Sequence, residues 1–122
     1  MSVEATAYLI SRASAHGITL DDLLAMTPSC IVDDMQKCVV FWEQRDISHI
    51  LSQSLHPHLA SDPSNMIPEH ESPNSSRGSD PMTNEDQTTA DLDNEVLAQL
   101  IDMGMGDVYV YADLPPIDVI LA

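Results

Sequence analysis

Histidines, cysteines and paired carboxylates are the residues with which a small chain does chemistry, and each group here can be tested against a use. His56 and His58 flank Pro57, with His49 and His70 further off. A zinc site needs more ligands than such a pair, held at a defined spacing. The histidines therefore read as a solvated loop, and no metal ligand is assigned. Asp21-Asp22 and Asp33-Asp34 are adjacent in sequence. On a helix neighbours diverge by about 100°, so neither pair can serve one substrate as acid and base. They read as a cap and a solvated face. Cys30 and Cys38 fall on one expected helix, about 12 Å apart along its axis, which is beyond disulfide reach. They read as small buried apolar residues in a reducing cytosol. His16 sits in the last turn of an expected helix, where the dipole favours it without any catalytic role. No glycine-rich phosphate loop, nucleophile elbow or Cys/His constellation occurs. No catalytic, cofactor-binding or metal residue is expected, and the chain does not read as an enzyme.

The elements around these residues are organised on the stretch from Gly17 to Trp42. Ser2 can cap a first helix over residues 2–16, with Ala5, Leu9 and Ala13 in one row and Tyr8 alongside. Gly17 supplies the left-handed residue past its end. Thr19 and Asp22 form a capping box with Asp in place of Glu, and Asp21 and Asp22 favour the helix dipole. Thr27-Pro28 reads as a second start, with threonine as cap and proline at the first helical position. Proline also turns Thr27 out of helical conformation, so the helix begun at Thr19 must stop near Met26. A longer helix would then run on through Ile31, Met35, Cys38 and Trp42, with Val32 and Val39 widening the stripe. Phe41 and Trp42 are neighbours and are not expected to face the same core, so one should be half-exposed or meet a partner. Beyond Trp42 the helix continues, or restarts with Asp46 as cap over Ile47, Ile50, Leu51 and Leu55, and Pro57 ends it.

The fold class expected is mainly α. A helical module over 1–56 is followed by a disordered acidic linker over 57–90, rich in Pro, Ser, Asn, Asp and Thr, with sparse apolar residues. Residues 91–122 are expected to hold a short helix, Leu92 to Met103, and an apolar tail. Leu100-Ile101-Asp102-Met103-Gly104 resembles the first-helix end of ubiquitin-associated domains, but a β-rich run follows where two more helices are required, and that reading is set aside. Val108 to Tyr111 reads as a strand, Pro115-Pro116 as a stop, and Ile117 to Ala122 as an apolar end.

Charge narrows the partners. The net charge is −16. Residues 1–56 carry seven acids against three bases, and residues 57–122 carry thirteen acids against Arg77 alone. Such a chain repels phosphate backbones, so nucleic-acid binding is excluded, although mimicry of nucleic acid by its carboxylates stays open. No apolar run approaches the roughly 20 residues of a membrane span and no leader is visible, so a cytoplasmic protein with no membrane contact is expected.

The helix before Gly17-Ile18-Thr19, the acidic Asp21-Asp22, Leu23, Met26-Thr27 and the amphipathic helix from Pro28 together resemble the tail assembly chaperones of phages. The resemblance covers about a third of the chain, residues near the N-terminus. It implies a non-enzymatic protein that binds a tape-measure protein and keeps its apolar helices soluble in the host cytoplasm. In that family a longer form made by frameshifting adds a C-terminal extension, here the region after Pro57. The partner-binding residues expected are Leu20, Leu24, Val39 and Trp42, with Tyr109 or Tyr111 filling a partner's pocket if the C-terminal run docks as a strand. Two other classes remain: an acidic anti-defence inhibitor that mimics nucleic acid, which needs the carboxylates after residue 57 on a folded surface, and an adaptor docking through its C-terminal segment.

Overall fold

The computed structural model describes residues 2–111. The chain is mainly α, with α1 (Val3–Ala15), α2 (Leu20–Ala25), α3 (Met35–Trp42), α4 (Glu71–Arg77) and α5 (Asn84–Asp102). One antiparallel pair, β1 (Asp46–His49) and β2 (Met66–Glu69), joins them.

The N-terminal corners form where the capping residues put them. The Ser2 hydroxyl accepts from the Ala5 amide, and Ala5, Leu9 and Ala13 are the buried row of α1. Gly17 has φ +70°, and an added Cβ there would lie 2.5 Å from the Ser61 hydroxyl, so the corner needs glycine twice over. Thr19 and Asp22 satisfy each other's amides at 3.1 and 3.0 Å, and α2 is capped at Met26.

The third helix departs from expectation. It starts at Asp34, whose carboxylate accepts from the amides of Gln36 and Lys37 at 3.0 and 3.3 Å. Residues 28–33 form turns instead, with Ile31 and Asp34 donating back to Pro28 and Ile31. Thr27 is not a cap for them. Its hydroxyl donates to the Leu23 carbonyl at 2.9 Å and accepts from the Trp42 indole at 3.0 Å. Cys30, expected in a core, lies exposed in these turns, while Cys38 is buried. Phe41 and Trp42 are both fully closed off, packed edge to face with centroids 5.3 Å apart. Two adjacent helical residues can both be buried because α3 has α1 on one side and α5 on another.

Residues 46–56 are not helical. β1 pairs with β2 in the register Asp46 to Glu69, Ile47 to Pro68, Ser48 to Ile67 and His49 to Met66. The stretch 57–90, expected as a disordered linker, holds 3-10 turns at Pro57–Leu59 and Pro63–Asn65, then β2, α4 and the first turns of α5. Proline leads both turns, where its missing N–H costs nothing. The few apolar residues are concentrated: Ile67, Met82 and Ala90 form a small cluster with Ile50 against it. Polar side chains do the rest. The Asn65 amide accepts from the Leu51 backbone N–H and donates to its carbonyl, both at 2.9 Å, and His49 reaches the Ala60 carbonyl at 2.9 Å. Asn94 donates to the Pro68 carbonyl at 2.8 Å, tying α5 to β2.

α5 is longer than the expected Leu92 to Met103 because a second capping box, Thr83 with Asp86, starts it earlier. The main core draws on both ends of the described chain, from Leu9 through Phe41, Trp42 and Met66 to Leu97 and Ile101. Val108 to Tyr111 is not a strand: Gly106–Val108 is a 3-10 turn and Tyr109 folds back onto that core. Pro115-Pro116 and the run Ile117 to Ala122 lie outside the described residues. Among the described residues no helix is long and apolar enough to cross a membrane.

The Thr27 hydroxyl is the acceptor for a buried indole, which sets a test. Thr27→Val keeps the shape but orphans the Trp42 N–H, at a cost of about 1–3 kcal/mol. Thermal melting should show a clear drop for Thr27→Val and little change for Thr27→Ser; equal melting of all three would detach the indole from this bond.

Candidate functional site: an acidic, aromatic cleft over a buried ion pair

Arg45 follows the end of α3, and the turn there carries its side chain into the protein. Its guanidinium is closed to solvent and donates to Asp93 at 2.7 Å and to the Tyr109 hydroxyl at 2.7 Å. Asp93 is equally closed, on the inner side of α5. The Tyr109 hydroxyl in turn donates to the Asp93 carboxylate, 2.7 and 2.8 Å from its two oxygens. Tyr109 reaches this place because the chain reverses after α5 at Gly104, φ +75°. The guanidinium carbon also lies 5.1 Å from the Tyr109 ring centre and 5.9 Å from that of Phe41. Burial pushes the Tyr109 hydroxyl well above its ordinary value, and the bond to Asp93 adds to this while Arg45 opposes it.

The other cations are also engaged within the chain. Arg12 donates to the carbonyls of Trp42 and Arg45 at 2.8 and 2.9 Å, fixing the turn that aims Arg45. Arg77 forks onto Glu69, which is buried and also accepts from the Ser48 hydroxyl at 2.7 Å. Lys37 pairs with Asp102 at 2.9 Å, and this exposed pair contributes little to stability.

Beside the buried ion pair lies an open cleft of about 470 Å³. Carboxylates line it at Glu43, Asp46 and Glu71, and rings line it at His70, Tyr109 and Tyr111. The His70 and Tyr111 rings are stacked, 4.7 Å apart and 15° from parallel. His70 caps α4 by accepting the Ser72 amide on Nδ1 at 3.0 Å, so that nitrogen carries no proton. Asp46 is steadied by the Asn74 amide at 3.1 Å. Among the described residues no group of three or more His, Cys, Asp or Glu is placed to hold a metal ion.

The residues expected to meet a partner are scattered by this arrangement. Trp42 is sealed in the core, and Leu20, Leu24 and Val39 are partly buried and packed against it. Trp42 therefore offers no surface to a partner, while Leu20, Leu24 and Val39 each keep part of theirs open. Tyr109 is committed to Arg45 and Asp93, whereas Tyr111 stays partly exposed at the cleft. Sequence reasoning gave Arg45 and Asp93 no role and read His70 as part of a solvated loop, whereas it caps α4 and stacks on Tyr111. One signal was present for Asp93: it lies among Ala90, Leu97 and Ile101, the apolar positions of its own helix. In sequence and structure comparisons, no family model, curated protein or solved structure matches the chain.

Two measurements follow from these environments. An unfolded tyrosine ionises near pH 10. Tyr109 titrates above that when folded, so its contribution is complete below about pH 10 and is lost as pH rises further. Denaturant unfolding of Tyr109→Phe should show lower stability at neutral pH and a shallower alkaline decline than the parent; parallel alkaline declines would contradict the raised value. Burial, with help from the nearby Asp34, pushes the Cys38 thiol up to about 11, while Cys30 is exposed. Because the thiolate is the nucleophile, alkylation of the native protein should label Cys30 alone, and Cys38 only in denaturant. Equal labelling of both thiols in the native state would place Cys38 outside the core.

Proposed function

We propose that this chain is a non-enzymatic protein-binding module whose partner presents a surface rich in lysine and arginine. One observation carries the reading. All four basic side chains, Arg12, Lys37, Arg45 and Arg77, bond to acceptors of the same chain. Of the eighteen described carboxylates only Glu69 and Asp93 are buried, so sixteen stand at least partly at the surface. A surface so weighted creates a field that attracts cationic partners and repels phosphate.

Within that surface α5 presents Asp91 and Glu95, which fall about 40° apart around the helix, with Asp102 on the same side already paired to Lys37. They are held on a capped helix docked to β2 and α3, not on a loose tether. Rigid placement favours recognition of a basic face of the kind that otherwise holds a phosphate backbone, which is the inhibitor class among the readings of the sequence. The tail-chaperone reading needs an open apolar face, and of the four side chains expected there Trp42 is sealed in the core. The burial of Trp42 thus supports a contact through the carboxylates over one through these side chains.

The test is retention of basic nucleic-acid-binding proteins by the immobilised full chain. Retention should weaken steeply as salt screens the carboxylates, and should fall in the quadruple variant Glu43→Gln, Glu71→Gln, Asp91→Asn, Glu95→Gln. Partners that resist salt, leave only with detergent and ignore the quadruple variant would overturn this reading in favour of an apolar contact.

A further inference from the structure

The cleft over the buried ion pair has a composition that the rest of the acidic surface lacks. Asp91 and Glu95 stand on an open face of α5, where they can attract a cation without orienting it, and the concavity lined by Glu85 and Asp86 already has Arg77 in its wall. At the cleft, Glu43 from the end of α3, Asp46 from β1 and Glu71 from α4 surround one concavity whose wall includes the stacked His70 and Tyr111 rings. We propose that this cleft is the anchoring pocket for an arginine side chain of the basic partner, its guanidinium lying against the Tyr111–His70 stack and bonding to the carboxylates of Glu43 and Glu71. The proposal rests on the reading of the chain as a binder of basic proteins and names the place where such a partner is fixed.

The chemistry of the lining selects this occupant. Two arginines of the chain itself, Arg12 and Arg45, also border the cleft. Arg45 is neutralised by Asp93, and Arg12 has its terminal nitrogens on the Trp42 and Arg45 carbonyls. Neither turns its charge to the rim carboxylates, and three acids against the one uncompensated Arg12 leave the cleft net negative. An anion is therefore disfavoured. A purely apolar group would desolvate the three carboxylates without pairing them. Arginine meets both features at once, since its planar guanidinium stacks on an aromatic face and forks onto carboxylates. Lysine satisfies the charge but not the stacking. Asp46 is already held by Asn74, so Glu43 and Glu71, both exposed, are the free acceptors.

The experiment uses the full chain and three blocked tripeptide probes, Gly-Arg-Gly, Gly-Lys-Gly and Gly-Leu-Gly, titrated by NMR. Gly-Arg-Gly should shift the amides of residues 43–46 and 70–71, and its arginine methylene protons should move upfield under the ring current of Tyr111. Gly-Lys-Gly should bind more weakly and Gly-Leu-Gly not at all. The pair Glu43→Gln, Glu71→Gln should weaken Gly-Arg-Gly binding roughly tenfold, about 1.4 kcal/mol. The pair Asp91→Asn, Glu95→Gln, with the same loss of charge, should leave it within about twofold. Tyr111→Leu, which retains every carboxylate, should abolish the upfield shift. If both charge pairs weaken binding equally, the carboxylates act only as a diffuse field, and the pocket falls while the proposed function stands. If no variant changes capture of basic proteins and no probe binds at low salt, the proposed function falls with it.

Discussion

A guanidinium closed off from water has to be surrounded by acceptors, and in this protein that demand falls on Arg45. Its two terminal nitrogens are met by a carboxylate from α5 and a phenol from beyond α5, its Nε is left without a partner among the described residues, and Arg12 on α1 holds the Arg45 backbone in place. Four remote parts of the chain are thereby committed to one point. Removing either charged partner would strand the other away from water, a change that typically costs about 3–5 kcal/mol. The pair adds little to stability relative to an apolar substitute, but it tolerates few alternative arrangements. It fixes how α3, α5 and the segment to Tyr109 sit together.

The same economy governs the second polar centre. Glu69 is buried at the end of β2, where Arg77 from α4 and Ser48 from β1 satisfy it. An isolated two-stranded ribbon is marginal in water. Here it is held by this cluster, by the Asn94 bond from α5 and by the Asn65 bonds to Leu51. Specific polar closure therefore carries a region in which apolar side chains are few, and it explains how a stretch so rich in proline and serine stays ordered.

These two clusters also shape the exterior. With so few cations in the sequence, each one drawn inward leaves the outer carboxylates uncompensated. The internal architecture and the acidic surface are thus consequences of one scarcity. The cleft lies where the two meet, with the buried ion pair beneath it and unpaired acids on its rim.

What the sequence by itself determined is local. Ser2, Gly17, the Thr19 box and the end of α2 at Met26 are legible because a cap is satisfied within three or four residues and needs nothing distant. The Thr83 box obeys the same rule and was equally available; a reading based on the sparsity of apolar residues passed over it. The tertiary structure decided what depends on remote partners. Thr27 offered a helix cap in sequence, but its hydroxyl serves the Trp42 indole fifteen residues on. Residues 57–90 lack the apolar content of a core, yet Glu69 and Asn65 find acceptors and donors far away in the chain. The cleft was not legible at all, since Glu43, His70 and Tyr111 share no spacing and come together only when Arg45 and Asp93 close the core beneath them. Short-range hydrogen bonds can be read from neighbours, whereas a buried charge chooses its partners only once the chain has folded around it.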